Sequence, residues 1–75
     1  MNFKDSVYWT LYSDIWNFHK KFADVKEDDA YWKQVIDEAG VLYKKYEDQQ
    51  EGEFAKMLLL NIVGELERIF LEESK

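Results

Sequence analysis

The single histidine is the first residue whose type suits chemistry, because imidazole is the commonest general acid or base near neutral pH. His19 lies between Tyr12 and Phe22 on the apolar side of a helical pattern, whereas Ser13 and Asp14 project to the opposite side. A catalytic histidine needs an orienting carboxylate or a nucleophile beside it. We therefore expect a partly buried His19 that bonds a tyrosine hydroxyl or a backbone carbonyl, and we predict no enzyme.

Acidic side chains in residues 24–29 invite comparison with a calcium-binding loop. An EF-hand loop needs an oxygen ligand at its third position and glycine at its sixth, but here Lys26 is third and Asp29 is sixth. A solvated turn whose acids cap the next helix fits better. The chain has no cysteine, and Trp16 stands three residues before His19, where a helical metal pair needs a ligand. We predict no metal, no cofactor and no small-molecule substrate.

The length, net charge and apolar runs of the chain exclude or disfavour several classes of protein. The chain has 75 residues, a formal net charge of −6 and a 47% hydrophobic composition. Its acidity disfavours binding to nucleic-acid backbones and to anionic membranes. The longest apolar run, Met57–Leu60, is far shorter than the roughly 18 residues of a membrane span, and residues 1–5 lack a signal-peptide pattern. We expect a single cytoplasmic domain over residues 1–75, with no membrane as partner and with nucleic-acid binding disfavoured.

Two polar interruptions, residues 24–29 and 47–53, separate three blocks whose apolar residues recur at helical spacing. The sequence predicts helices over about residues 6–23, 28–48 and 52–72, and the absence of proline leaves nothing to kink them. Short connections favour antiparallel neighbours. The predicted fold is therefore all-α, an antiparallel up-down-up three-helix bundle.

The helix ends and the core can also be predicted from residue types. Ser6 or Asp5 is the candidate N-cap of the first helix, and Asp28 or Asp29 that of the second. The second helix has an expected core stripe with flanking apolar residues: Trp32, Val35, Ala39, Leu42 and Tyr46, flanked by Tyr31, Ile36 and Tyr43.

The third helix carries more apolar residues than one face needs. Its main stripe consists of Ala55, Leu59, Ile62, Leu66 and Ile69, and a second stripe consists of Met57, Leu60, Gly64, Glu67 and Leu71. A helix that is apolar almost all round is normally buried on more than one side. Met57, Leu60 and Leu71 would then contact a second copy or a partner helix, with Gly64 allowing close approach. The alternative is ordinary scattered surface exposure, which needs no partner.

Three aromatic residues, Trp9, Tyr12 and Trp16, follow one edge of the apolar arc of the first helix. We favour the interpretation that they pack on the second or third helix. The alternative is that they anchor an interface, because tryptophan and tyrosine are enriched at interface hot spots.

Several segments resemble a known group of proteins. They are Glu27–Trp32, Val35–Glu38, Leu42–Tyr46, Phe54–Lys56, Leu58–Leu60 and Glu65–Arg68, with Trp16–Phe22 before them. Over most of its length the chain resembles small uncharacterised helical proteins encoded on phages and conjugative elements of Gram-positive gut bacteria. That group has no established activity, so the resemblance implies a cytoplasmic accessory protein of a mobile element and assigns no functional residue.

The sequence thus leads to a hypothesis of a non-enzymatic protein–protein interaction module. It would self-associate or bind another protein through the apolar face of the third helix. The alternative is a small regulator acting on nucleic acid or, as an acidic mimic, on a DNA-binding protein.

Overall fold

Three α-helices fold into an antiparallel up-down-up bundle in the computed structural model, which describes residues 6–73. The helices are α1 (Val7–Phe22), α2 (Asp29–Tyr46) and α3 (Gly52–Glu73). Each helix packs against both of the others, and the bundle measures 47 × 20 × 16 Å along its principal axes. The predicted all-α three-helix fold is confirmed.

Side chains at the start of α2 and just before it hydrogen-bond the backbone at both ends of the α1–α2 connection. Asp28 is the N-cap, and its Oδ1 accepts a hydrogen bond of 2.6 Å from the backbone N–H of Tyr31. The hydroxyl of Tyr31 donates at 2.7 Å to the carbonyl of Phe22, the last residue of α1. The helix-capping interpretation of the acidic turn is therefore confirmed for Asp28.

The predicted cap of α1 is only partly right. Ser6 has the extended backbone of an N-cap residue, but its side chain makes no capping hydrogen bond. Its carbonyl instead accepts a hydrogen bond of 3.2 Å from the N–H of Trp9. The other candidate, Asp5, lies outside the described residues.

The turn between α2 and α3 requires a glycine. α2 ends at Tyr46, before the predicted residue 48, and α3 begins at Gly52. Gly52 is buried, and a Cβ atom at this position would lie 2.6 Å from the carbonyl oxygen of Tyr46. Any larger residue would therefore push the turn away from the end of α2.

The core draws on all three helices. Its buried apolar residues are Leu11, Ile15, Phe18, Phe22, Tyr31, Val35, Tyr46, Ala55, Leu59 and Leu66. Aromatic rings meet edge to face along one end of the bundle, from Phe22 through Tyr31 and Trp32 to Phe70 of α3, with centroids 4.9–5.7 Å apart. These rings join all three helices because each is large enough to reach the next.

Polar side chains fasten α1 to α2. Asp14 of α1 accepts a hydrogen bond of 2.6 Å from the hydroxyl of Tyr46 and pairs at 2.8 Å with Lys45. Farther along the same contact, Lys21 pairs with Glu38 at 2.8 Å. Arg68, in contrast, pairs within α3, where its partners are Glu65 and Glu72.

Candidate functional site

The second apolar stripe of α3 lies on the outside of the bundle. Met57, Leu60 and Leu71 are each exposed to more than half of their surface, with fractions of 56%, 61% and 60%. Gly64, one turn beyond Leu60, is exposed as well. The four residues share one face of α3, because they follow one another at spacings of three, four and seven residues.

α2 supplies the other wall of this surface. A cleft of about 270 Å³ runs between the two helices and is lined by Ile36, Ala39, Gly40, Tyr43, Lys56, Leu59, Leu60 and Val63. A second cleft of about 370 Å³ is lined by Trp32, Ile36, Glu67, Phe70 and Leu71. The two clefts share Ile36, and we call them together the α2–α3 groove.

The sequence did not reveal the contribution of α2 to this groove. Ile36 was expected to flank the core, but 58% of its surface is exposed. The one sequence feature that pointed to its exposure was its position at the edge of the α2 stripe. A residue at such an edge faces either a neighbouring helix or solvent, and the rotation of the helix about its axis decides which. Gly40 offered no signal of its own.

Two helical glycines, Gly40 in the lining of the groove and Gly64 on the exposed stripe of α3 beside it, are not required by the single chain. Gly40 and Gly64 lie inside helices, have no positive φ angle and would leave an added Cβ with nothing within 4 Å. Glycine within a helix costs about 1 kcal/mol relative to alanine. These two positions therefore lower the stability of the helices and leave open space at the groove.

Opposite charges stand at the two ends of the α3 wall. Lys56 lines the first cleft, one turn before Leu60, and Glu67 lines the second, one turn after Gly64. The groove is thus apolar along its length, with a cation near one end and an anion near the other.

The aromatic edge of α1 is exposed, which corrects the interpretation that it packs on another helix. The exposed fractions are 54% for Trp9, 46% for Tyr12 and 65% for Trp16. Among the ring contacts of the described residues, Tyr12 contacts α3, where its centroid lies 6.1 Å from that of Phe54, and neither tryptophan does so. The apolar arc of α1 is wider than two neighbouring helices can cover, so its outer edge stays in solvent.

Two polar residues of α1, His19 and Asp14, have different surroundings in the structure. His19 is half-buried, as expected, and its bond to a tyrosine hydroxyl or a backbone carbonyl stays a prediction. The pKa of Glu65 is lowered first by its hydrogen bond with Arg68 and to a smaller extent by the charge of His19. Asp14 is occupied by its two partners on α2.

The pKa shifts of the Asp14 contact have structural causes. Burial raises the pKa of Asp14, but hydrogen bonds from Lys45 and Tyr46 outweigh burial, and the pKa lies below its ordinary value of 3.8. Burial, followed by the hydrogen bond to the carboxylate, raises the pKa of the Tyr46 hydroxyl. The contact is therefore a stabilising hydrogen bond between ionised Asp14 and neutral Tyr46.

Residues 6–73 contain neither a metal-binding cluster nor a membrane-spanning helix. No group of three or more histidine, cysteine, aspartate or glutamate side chains is arranged there to hold a metal ion. None of the helices in that range combines the length and apolarity needed to cross a membrane.

Comparison of the chain with protein-family models, curated proteins and solved structures found no match. The α2–α3 groove and the aromatic edge of α1 are therefore the surfaces that point to a function.

Proposed function

We propose that this protein is a non-enzymatic interaction module that works by burying the α2–α3 groove against another polypeptide. The observation that carries the proposal is the combination of exposed Leu60, Met57 and Leu71 with open space at Gly40 and Gly64. Isolated exposed apolar residues are ordinary. Here Leu60 and Leu71 line two neighbouring clefts that also share the exposed Ile36.

Burial of this surface is worth enough to drive association. A fully buried leucine, isoleucine or methionine contributes about 1.5–3 kcal/mol. Ile36, Met57, Leu60 and Leu71 each still expose between 56% and 61% of their surface, so together they offer about 3–7 kcal/mol per chain. Association costs at least about 4 kcal/mol in lost freedom of motion, so the net affinity is modest and the fraction of associated protein depends on its concentration.

The exposed aromatic edge is the second surface in this proposal. Trp9 and Trp16 carry large apolar area at low cost in side-chain entropy, which suits them as interface anchors. In line with the resemblance described above, we place the module among the cytoplasmic accessory proteins of mobile elements.

Substitution of Leu60 tests the proposed surface. We expect wild-type protein to form a concentration-dependent dimer and Leu60→Glu to abolish it with helicity unchanged, because a buried unpaired carboxylate is costly. Val41→Glu is the matched control, since Val41 is 68% exposed but lies on the opposite flank of α2, beside Leu42 and Asp14. Sedimentation and circular dichroism measure the two properties.

A photo-reactive residue at position 60 extends the test to partners other than a second copy. We expect adducts with another polypeptide from position 60 and none from position 41, and excess wild-type protein should suppress them whereas Leu60→Glu protein should not. Equal yields from both positions, or none from either, would overturn the proposed function.

A further inference from the structure

The second stripe of α3 is complementary to the same stripe on a second copy of the helix that runs antiparallel to it. Lys56 precedes Leu60 by four residues, and Glu67 follows Gly64 by three. If a second α3 is laid antiparallel over the first, the large Leu60 faces the open space at Gly64. In the same alignment the cation at one end faces the anion at the other.

We propose that the polypeptide covering the α3 wall of the groove is a second copy of this chain, with the two α3 helices antiparallel across a two-fold axis near residues 61–62. Leu60 then packs on the partner's Gly64, and Lys56 pairs with the partner's Glu67. This inference rests on the proposed function and deepens it by naming the partner and the register.

The spacing of the stripe matches this kind of packing. Met57, Leu60, Gly64, Glu67 and Leu71 alternate three- and four-residue steps, which is the repeat of a helix pair that packs along a seam. The two-fold axis lies midway between Leu60 and Gly64, so a residue on one side of this midpoint faces the residue at the same distance on the other side in the second copy. Met57 therefore lies opposite the partner's Glu67, and neighbouring Lys56 supplies the charge that this glutamate needs.

This arrangement explains why residue 64 is a glycine. A Cβ at Gly64 would touch nothing within 4 Å in the single chain, yet glycine in a helix is unfavourable. The missing side chain lets the two backbones approach and receives Leu60 from the other copy, as small residues do at close helix contacts. Two-fold symmetry makes each such contact occur twice.

Charge argues for a defined register rather than for loose association. The chain has a net charge of −6, so two copies repel one another at long range, although salt screens this beyond about 8 Å. Two Lys56–Glu67 pairs at the seam offset the repulsion locally, and they form only in the antiparallel register. A parallel pair would place like charges together.

Charge reversal with mixing tests the register. Lys56→Glu and Glu67→Lys each make both pairs of the dimer repulsive, and we expect each variant alone to dimerise about tenfold more weakly than wild type. An equimolar mixture of the two variants regains both pairs in the heterodimer, so its dissociation constant should return to within about twofold of wild type. Sedimentation equilibrium on the purified full chain measures all four samples.

Controls separate this pairing from a general effect of charge. Lys20→Glu and Glu27→Lys make the same charge changes at exposed positions of α1 and of the α1–α2 connection, and mixing them should give no gain over either variant alone. A wild-type dimer whose charge variants are not rescued by mixing would overturn the register while leaving the proposed function intact. A wild-type monomer at high micromolar concentration would overturn the second copy as partner, and the cross-linking from position 60 then decides the proposed function separately.

Discussion

Two tyrosines show how single residues in this chain serve both the core and the polar contacts. The rings of Tyr31 and Tyr46 are buried, while their hydroxyls bond the carbonyl of Phe22 and the carboxylate of Asp14. Each hydroxyl is thereby satisfied where an unpaired one would cost about 1–3 kcal/mol. The same two bonds tie α2 to α1 at both ends of the helix pair.

Removal of the Asp14 charge should change how stability depends on pH. The folded pKa of Asp14 is below 3.8, so its stabilising effect is present above the unfolded pKa and is lost as pH falls through the folded pKa. We expect Asp14→Asn to lower the free energy of unfolding by about 1 kcal/mol at neutral pH and by much less at about pH 3. Urea unfolding at the two pH values measures this, and an equal loss at both would contradict it.

The elements differ in how fully the bundle covers them. α1 buries Leu11, Ile15, Phe18 and Phe22, but its aromatic edge is beyond the reach of either neighbour. α3 buries Ala55, Leu59 and Leu66 of its main stripe and leaves its second stripe exposed. In a three-helix bundle each helix contacts only two others. Where the apolar arc of a helix is wider than these two contacts, as in α1 and α3, the remaining apolar residues face solvent.

The two open glycines should respond differently to alanine. Gly40→Ala and Gly64→Ala should each raise the free energy of unfolding of dilute protein by about 1 kcal/mol, because the methyl group meets no clash and helix propensity improves. Only Gly64→Ala should weaken the dimer, since its methyl group occupies the space of the other copy's Leu60. Denaturation and sedimentation measure the two effects.

Gly52→Ala is the contrasting variant for this pair. Its added carbon would lie 2.6 Å from the Tyr46 carbonyl oxygen, so we expect it to destabilise the fold. A Gly64→Ala dimer as tight as wild type would contradict the role given to this glycine at the seam.

The molecule as a whole combines a polar contact with an apolar groove. Charged and hydroxyl groups join α1 to α2, whereas the exposed surface between α2 and α3 is apolar apart from Lys56 and Glu67. Association through the groove should therefore add to folding stability, because a partner that binds only the folded chain shifts the unfolding equilibrium.

Thermal unfolding should accordingly depend on protein concentration. We expect the midpoint temperature of wild-type protein to rise by several degrees from low to high micromolar concentration. The midpoint of Leu60→Glu should stay constant, because this variant remains monomeric. Calorimetry over the concentration series measures both, and parallel behaviour of the two proteins would contradict a role for the groove.

Much of the fold and part of the candidate site could be predicted from residue patterns. Helical spacing, the Asp28 cap and the absence of proline define three helices, since these effects act within a few residues of the chain. The surplus stripe of Met57, Leu60 and Leu71 was visible for the same reason, because one helix displays its own periodicity. Nothing in the resemblance or in residue types named a partner.

The sequence by itself determined which residues share a face of each helix, because that follows from the geometry of a single α-helix. Only the tertiary structure decided which of those faces are covered. The rotation of each helix about its axis is set by side chains packing from all three elements at once. That rotation left Trp16 in solvent, turned Ile36 out of the expected core margin, and joined it with Leu60 across the α2–α3 groove.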